Sequence, residues 1–197
     1  MASVLQQPQL PPPKRLLTAA DLAALPDELP SGPVKYELDQ GRLVTLMAPP
    51  GSDHGRTQLR IGTILYTYAT ALGLGEAFAE VGLILRRNPD TVVAPDAAFV
   101  AKKSLPVRTS REGYLETIPE LVVEVRSKND STAELLAKAD DYLRAGVQIV
   151  WIIDPATQKL TVCRPQQAAV ELGRGDTLAA EGVIPGFQVA VAEVFGQ

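Results

Sequence analysis

A strand–helix–strand pattern in the second half of the sequence constrains the fold more than any other feature. The valine-rich run Leu121–Val125 has the β-branched composition of a strand, and residues 147–153 have the same character. Between them, Ser131 and Glu134 have the spacing of a capping box, and Gly146 marks the end of the helix that they begin. Two strands joined in this way lie side by side in one sheet, so the pattern predicts an α/β fold with helices covering a sheet.

The remaining patterns extend this sheet. Residues 34–38 and 43–47 alternate apolar and polar side chains around Gly41, and they predict an N-terminal β-hairpin. Thr18 and Asp21 predict the start of a short helix before it. Further strands are predicted at 78–85, 92–100 and 160–163. Together these elements predict a mixed central β-sheet flanked by helices.

A long helix is predicted between the hairpin and the later strands. Ser52 or Asp53 is expected to cap its start, and Gly73 is expected to end it. The apolar positions that recur at helical spacing are Leu59, Ile61, Leu65, Tyr68, Ala69 and Leu72.

The composition fits one domain preceded by a proline-rich tail. A chain of 197 residues that is 46% hydrophobic can bury a full core, and we expect one domain over residues 16–197. Residues 1–15 include three consecutive prolines and predict a flexible tail. Cys163 is the only cysteine, which excludes an internal disulfide and indicates a reducing compartment. No apolar run approaches the roughly 20 residues that cross a bilayer. We therefore expect a cytoplasmic protein without membrane contact.

Two acids interrupt segments that are otherwise apolar. Asp96 lies within the predicted strand 92–100, and Glu124 lies within Leu121–Val125. An isolated buried charge costs several kcal/mol, and two such acids on neighbouring strands repel each other unless a cation neutralises them. A divalent metal is the simplest explanation. For either acid alone, a strand edge or an ion pair is the competing interpretation.

A lysine on the second long helix is placed to reach these acids. Leu135, Ala139 and Tyr142 form the stripe of that helix predicted to face the sheet, and Lys138 lies on its flank. A lysine in this position can lay its stem on the core and extend its ammonium group toward the end of the sheet. The spacing alone fits equally well an exposed pair between Glu134 and Lys138.

A series of short motifs, read in order along the chain, resembles one known family. The motifs are Tyr36-Glu37-Leu38, Pro49-Pro50, His54-Gly55, Pro95-Asp96, Glu124-Val125, Ser127, a helix bearing Lys138 and Tyr142, Gly146-Val147, Trp151-Ile152-Ile153-Asp154-Pro155, Ile184-Pro185-Gly186-Phe187 and Val194-Phe195. They resemble the Uma-two family of restriction-endonuclease-like proteins, a branch of the PD-(D/E)XK nuclease superfamily. The resemblance implies the restriction-endonuclease-like mixed sheet and a metal-dependent phosphodiesterase site at one end of it.

The resemblance also implies roles for individual residues. Asp96 and Glu124 match the metal-binding acids, and with the Val125 carbonyl they offer hard oxygen ligands suited to Mg²⁺ or Mn²⁺. Lys138 matches the superfamily lysine, moved from the strand to the helix. Glu37 matches an additional catalytic acid.

Three further positions bear on this assignment. His54 matches the histidine at the head of the family's long helix, where hydrogen bonding to nearby backbone is the alternative role. Arg126 and Lys128 depart from the family pattern, and either is a candidate for reinforcing substrate binding.

The predicted function is a metal-dependent DNA endonuclease that acts as a homodimer, since two sites suit two strand cuts. The net charge of −4 counts against a broad DNA-binding surface, so basic residues would have to gather around the site. The candidates are Lys102, Lys103, Arg108, Arg111, Arg126 and Lys128. The alternative is a non-catalytic interaction module that uses the nuclease fold and keeps the acids for structural pairing.

Overall fold

The structure is a computed structural model that describes residues 15–26, 28–30, 32–46 and 51–196. Residues 1–14 of the predicted tail lie outside the described residues, as does residue 47 of the predicted hairpin. The division into tail and domain therefore stays a prediction. Among the described helices, none is long and apolar enough to span a bilayer.

The described chain contains four α-helices and fourteen strands, with several strands between successive helices. The helices are α1 (Ala19–Ala23), α2 (Ser52–Leu72), α3 (Thr132–Ala145) and α4 (Val191–Phe195). The strands are β1 (Glu28–Leu29), β2 (Gly32–Pro33), β3 (Lys35–Asp39), β4 (Arg42–Leu46), β5 (Gly75–Ala79), β6 (Leu83–Arg86), β7 (Thr91–Val93), β8 (Ala97–Ala101), β9 (Leu121–Val125), β10 (Ile149–Asp154), β11 (Lys159–Cys163), β12 (Val170–Leu172), β13 (Thr177–Ala179) and β14 (Gln188–Ala190).

Two sheets organise these elements. The central sheet has the order β12-β11-β10-β9-β8-β5, and β9 and β10 form its parallel pair while its other neighbours are antiparallel. A second, antiparallel sheet has the order β4-β3-β7-β6 and contains the N-terminal hairpin. The mixed sheet flanked by helices and the β9–α3–β10 crossover are confirmed.

Strand β9 divides its side chains between the two faces of the central sheet. Val123 and Val125 pack into the core formed with α2 and the C-terminal elements. Val122 packs into the core formed with α3, where Tyr142 is fully buried. Because side chains alternate along a strand, Glu124 lies on the same face as Val122 and is directed toward α3.

The predicted termini of α3 and the hairpin turn are confirmed. Ser131 and Glu134 form a reciprocal capping box at the start of α3, and Gly146 ends the helix with a φ of 112°. At the hairpin, Gln40 and Gly41 have φ values of 50° and 77°, as a two-residue turn between twisted strands requires.

Two predicted strands are wrong in extent because the chain turns within each of them. The predicted strand 78–85 consists of β5 and β6, which lie in different sheets, and Glu80 turns the chain between them with a φ of 48°. The predicted strand 92–100 is broken at Pro95, which has no backbone N–H to donate to a ladder. Asp96 consequently lies at the turn before β8 and not inside a strand.

The long helix also differs from its prediction. It begins at Ser52, so Ser52 and Asp53 lie in its first turn and neither precedes it as a cap. Ile61 is fully buried, whereas Leu59 is 71% exposed, because two residues along a helix correspond to a rotation of about 200°. Leu72 is exposed at the end of the helix. Strands β1, β2, β12, β13 and β14 and helix α4 were not predicted from the sequence.

Candidate active site

The predicted site residues come from different elements that meet at one end of β9. Glu37 lies in β3, Asp96 lies at the turn before β8, and Glu124 lies near the end of β9. The antiparallel register of β8 and β9 pairs Ala97 with Val123, which brings Asp96 next to Glu124. Two acids distant in sequence are thereby placed at the same edge of the central sheet.

Lys138 connects the two sheets at this point. Its Nζ lies 3.1 Å from Oε1 of Glu37 and 3.1 Å from Oε1 of Glu124. Burial lowers the pKa of Lys138, but the two carboxylates outweigh burial and hold the pKa above its usual value. The lysine therefore remains an ammonium ion between the acids, and the exposed pair with Glu134 is not formed because Glu134 bonds to Ser131.

Glu124 is the most strongly perturbed acid of the group. Its Oε1 accepts a hydrogen bond of 2.5 Å from the hydroxyl of Tyr142. Burial raises the pKa of Glu124 to about 7, and the charges of Asp96 and Glu37 add to the shift while Lys138 opposes it. A carboxyl with a pKa near neutrality exchanges protons readily at physiological pH.

Asp96 is held by the backbone of β9 and lies against His54. Its Oδ2 accepts a 2.7 Å hydrogen bond from the backbone N–H of Val125 and lies 3.4 Å from Nε2 of His54. Asp96 raises the pKa of His54, with smaller contributions from Asp130 and the Val125 backbone, although burial opposes the shift. Nδ1 of His54 is buried without a hydrogen-bond partner among the described residues.

The three carboxylates share one further property. Every described contact falls on a single oxygen of each group: Oε1 of Glu37, Oε1 of Glu124 and Oδ2 of Asp96. Within the part of the chain that the structure describes, the second oxygen of each carboxylate accepts no hydrogen bond. Such oxygens are the ligands that Mg²⁺ and Mn²⁺ prefer.

This donor set fits a magnesium-type ion that keeps much of its coordination shell. In the described residues, no three acidic, histidine or cysteine side chains form a ready-made metal-binding group. Mg²⁺ is commonly held by only one or two carboxylates, with water and substrate phosphate completing its shell. Asp96, Glu124 and the Val125 carbonyl are the groups here that would hold it.

The basic residues expected to gather around the site are divided. Arg126 follows Val125, but its guanidinium bonds to Oδ2 of Asp154 at 2.8 Å and to the Asp130 carbonyl, so it fixes the loop after β9. Lys128 lies exposed in the same loop. Lys102 and Lys103 follow β8 at the opposite end of the sheet from Asp96 and do not contribute to this site.

From the sequence, Tyr142 was placed in the buried stripe of α3 and among the residues that resemble the family, but its hydroxyl was given no role. A buried tyrosine requires a hydrogen-bond partner for its hydroxyl, and Tyr142 lies one helical turn from Lys138. These two facts were the available signal that the hydroxyl would reach the same acid. The backbone N–H of Ala94, freed at the Pro95 break, was also missed, and it donates to Oε1 of Glu37 at 2.9 Å.

The mixed sheet flanked by helices is the fold expected of a restriction-endonuclease-like protein. The sequence model of the Uma2 family, described as "Putative restriction endonuclease", matches residues 20–192. The chain belongs to this family, and the resemblance seen in its short motifs is confirmed.

A solved structure has the same fold. The "crystal structure of a putative nuclease belonging to DUF820" from Anabaena variabilis ATCC 29413 aligns with a TM-score of 0.72 and 20% sequence identity. The alignment covers 91% of this chain and 97% of the other. No curated protein matches the chain.

Proposed function

We propose that this protein is a metal-dependent DNA endonuclease that hydrolyses phosphodiester bonds with Mg²⁺ or Mn²⁺. The observation that carries the proposal is the arrangement of Asp96 and Glu124 beside the ammonium of Lys138, where each acid has one oxygen that is hydrogen-bonded and one that accepts no described hydrogen bond. Membership in a family described as restriction endonucleases supports the same chemistry.

The chain's own residues divide the work as follows. Asp96, Glu124 and the Val125 carbonyl would hold the cation, which when bound would neutralise charge on the phosphate and lower the pKa of the attacking water. Lys138 places a positive charge beside Glu124, where it orients the water and offsets negative charge on the phosphoryl oxygens. Glu37 holds that ammonium in place through its 3.1 Å contact.

His54 occupies a position suited to proton transfer. Its Nε2 lies 3.4 Å from Asp96, and its Nδ1 is buried without a partner in the described chain. At neutral pH, an imidazole can take up or release a proton at such a site. We propose that His54 shuttles the proton lost by the attacking water or gained by the leaving group.

DNA as the substrate and a homodimer as the active form are parts of the same proposal. Arg56 on the first turns of α2 and Lys128 in the loop after β9 are exposed cations on elements that also carry site residues. They are the groups available for contacts to backbone phosphate near the acids. A two-fold dimer would present two sites to the two strands.

The test is cleavage of supercoiled plasmid in the presence of Mg²⁺ or Mn²⁺. Asp96→Asn and Glu124→Gln keep the shape of the side chains, and each is expected to lower the rate of nicking at least about 100-fold. Glu120→Gln is the matched control, because Glu120 is a buried acid next to the other end of β9 and is expected to leave the rate unchanged.

Two outcomes would contradict the proposal. Metal-dependent nicking that persists in both Asp96→Asn and Glu124→Gln would mean that another protein in the preparation is cutting. Nicking that is equally reduced by Glu120→Gln would mean that the losses report folding. Circular dichroism of each variant accompanies the assay.

A non-catalytic interaction module remains a second candidate, favoured by one observation. Lys138 already neutralises part of the charge of Glu37 and Glu124, so these acids have structural partners without any metal. For such a module, wild-type protein would neither bind Mn²⁺ nor cut DNA, and Glu124→Gln would affect thermal stability alone.

A further inference from the structure

The hydroxyl of Tyr142 is a buried polar group that the proposed reaction does not use directly. Tyr142 lies on α3 with its side chain fully buried, and its hydroxyl donates to Oε1 of Glu124 over 2.5 Å. This length falls at the short end of the range for a hydroxyl bonded to a carboxylate. The bond is therefore among the strongest polar contacts in the site.

Two donors from one helix hold the same oxygen of Glu124. Lys138 and Tyr142 are four residues apart on α3, and both contact Oε1, while no described residue donates a hydrogen bond to Oε2. A glutamate has three side-chain torsions, and two fixed contacts on one oxygen remove most of the freedom of the carboxylate. The folded protein therefore already restricts the side-chain conformation of Glu124 before any ligand binds.

Packing fixes the tyrosine in turn. Its ring lies in the core cluster with Val122, Leu135, Val150 and other buried side chains, so it has no room to rotate away from Glu124. A ligand carboxylate oriented by a rigid neighbour binds its ion more tightly than a free one, and loss of such a neighbour commonly lowers metal affinity 10- to 100-fold.

We propose that Tyr142 is a positioning residue, which orients Glu124 so that Oε2 is presented as a ligand for a divalent cation. This inference rests on the proposed metal-dependent function and deepens it. According to this inference, the metal affinity of the site depends on Tyr142 of α3 as well as on Glu124 of β9.

The test compares Mn²⁺ binding by the full-length wild-type protein, Tyr142→Phe and Tyr68→Phe with isothermal titration calorimetry. Tyr142→Phe removes the hydroxyl and keeps the ring, and we expect its dissociation constant for Mn²⁺ to rise about 10- to 100-fold. Tyr68→Phe is the matched control, since its hydroxyl donates to the Pro185 carbonyl and does not contact the acids. Its dissociation constant is expected to equal that of the wild type.

The outcomes separate this inference from the proposed function. If the wild type binds Mn²⁺ and Tyr142→Phe binds it equally well, the positioning role is wrong and the metal site stands. If the wild type binds no Mn²⁺, both are wrong.

A measurement on the wild type alone covers the case in which Tyr142→Phe fails to fold. A buried hydroxyl with a short bond gives a proton resonance that exchanges slowly with water, and Mg²⁺ is expected to shift the downfield resonance of Tyr142. A hydroxyl resonance that is unchanged at saturating Mg²⁺ would overturn the inference.

Discussion

Strand β9 has a buried acid near each end, and the two acids are bound in different ways. Glu120, just before β9, is 5% exposed, and Glu124 is 6% exposed. Glu120 uses both oxygens, since Oε2 accepts from the backbone N–H of Ala101 at 2.8 Å and Oε1 accepts from the Ser104 hydroxyl at 2.7 Å. Both described contacts of Glu124 fall on one oxygen.

The difference separates a structural acid from a candidate ligand. Glu120 ties the start of β9 to the end of β8, and its hydrogen-bonding capacity is distributed over neighbouring groups of the fold. Glu124 instead lies near two other acids and one ammonium group, and its Oε2 accepts no described hydrogen bond. The two residues are equally buried, and they differ in how many of their carboxylate oxygens accept hydrogen bonds.

The largest effect is expected when the ammonium group beside Glu124 is removed. Lys138→Met leaves the partly buried Glu37 and the buried Glu124 without the ammonium group between them, and we expect the free energy of unfolding to fall by about 4 kcal/mol. Urea denaturation monitored by circular dichroism measures this loss. Adding Glu37→Gln to the variant removes one of the opposed charges and is expected to recover part of it.

The control for this variant is a lysine in an exposed ion pair. Lys159 contacts Glu171 at 2.7 Å, and both side chains are more than half exposed. Lys159→Met is expected to cost less than about 1 kcal/mol. Equal losses in the two variants would remove the distinction between the site and the surface.

A smaller effect is expected from pH in metal-free protein. The pKa of Glu124 is about 7 in the folded chain against 4.5 as its ordinary value, so the folded state binds a proton that the unfolded state releases. The contribution to stability is present below pH 4.5 and is lost as the pH rises through 7, by about 3 kcal/mol in total.

Glu124→Gln isolates this contribution from the other titrating groups. The difference in free energy of unfolding between the wild type and Glu124→Gln, measured in EDTA, should shift against the wild type between pH 4.5 and pH 7. If this difference in free energy of unfolding did not depend on pH, burial would not raise the pKa of Glu124.

The smallest effects are expected at the other end of β9. Glu120→Ala leaves the Ala101 N–H and the Ser104 hydroxyl without their partner and is expected to cost about 2 kcal/mol, with no change in plasmid nicking by the folded protein. Lys103→Ala removes only a 3.8 Å contact of a largely exposed lysine with Glu120, and its effect on stability should stay within about 0.5 kcal/mol. If Glu120→Ala kept the circular dichroism spectrum of the wild type but lost nicking, Glu120 and Glu124 would no longer differ in function.

The elements that sequence predicted correctly carry their signals locally. The capping box of Ser131 and Glu134, the glycine at 146 and the turn at Gly41 each determine backbone conformation within a few residues. The breaks within 78–85 and 92–100 were missed because the residues on both sides of each break are mostly apolar. Pro95 could have indicated the second break. Glu80 could not indicate the first, because glutamate rarely adopts a positive φ.

The candidate site was predicted through its residue types and not through its contacts. Asp96 and Glu124 were visible as charges in apolar surroundings, and Lys138 was visible as a lysine on the flank of a buried stripe. The sequence did not show that Glu37 and Glu124 share this lysine, since that depends on how the second sheet packs beside α3. Their roles in catalysis stay predictions.

The bond between Glu37 and Lys138 joins residues that are 101 positions apart. During synthesis on the ribosome, an emerging chain presents Glu37, His54 and Asp96 well before α3 exists. The acid cluster is therefore assembled only after the crossover helix has left the exit tunnel and docked. A nascent chain that ends before α3 therefore lacks the contact that joins Glu37 to Lys138.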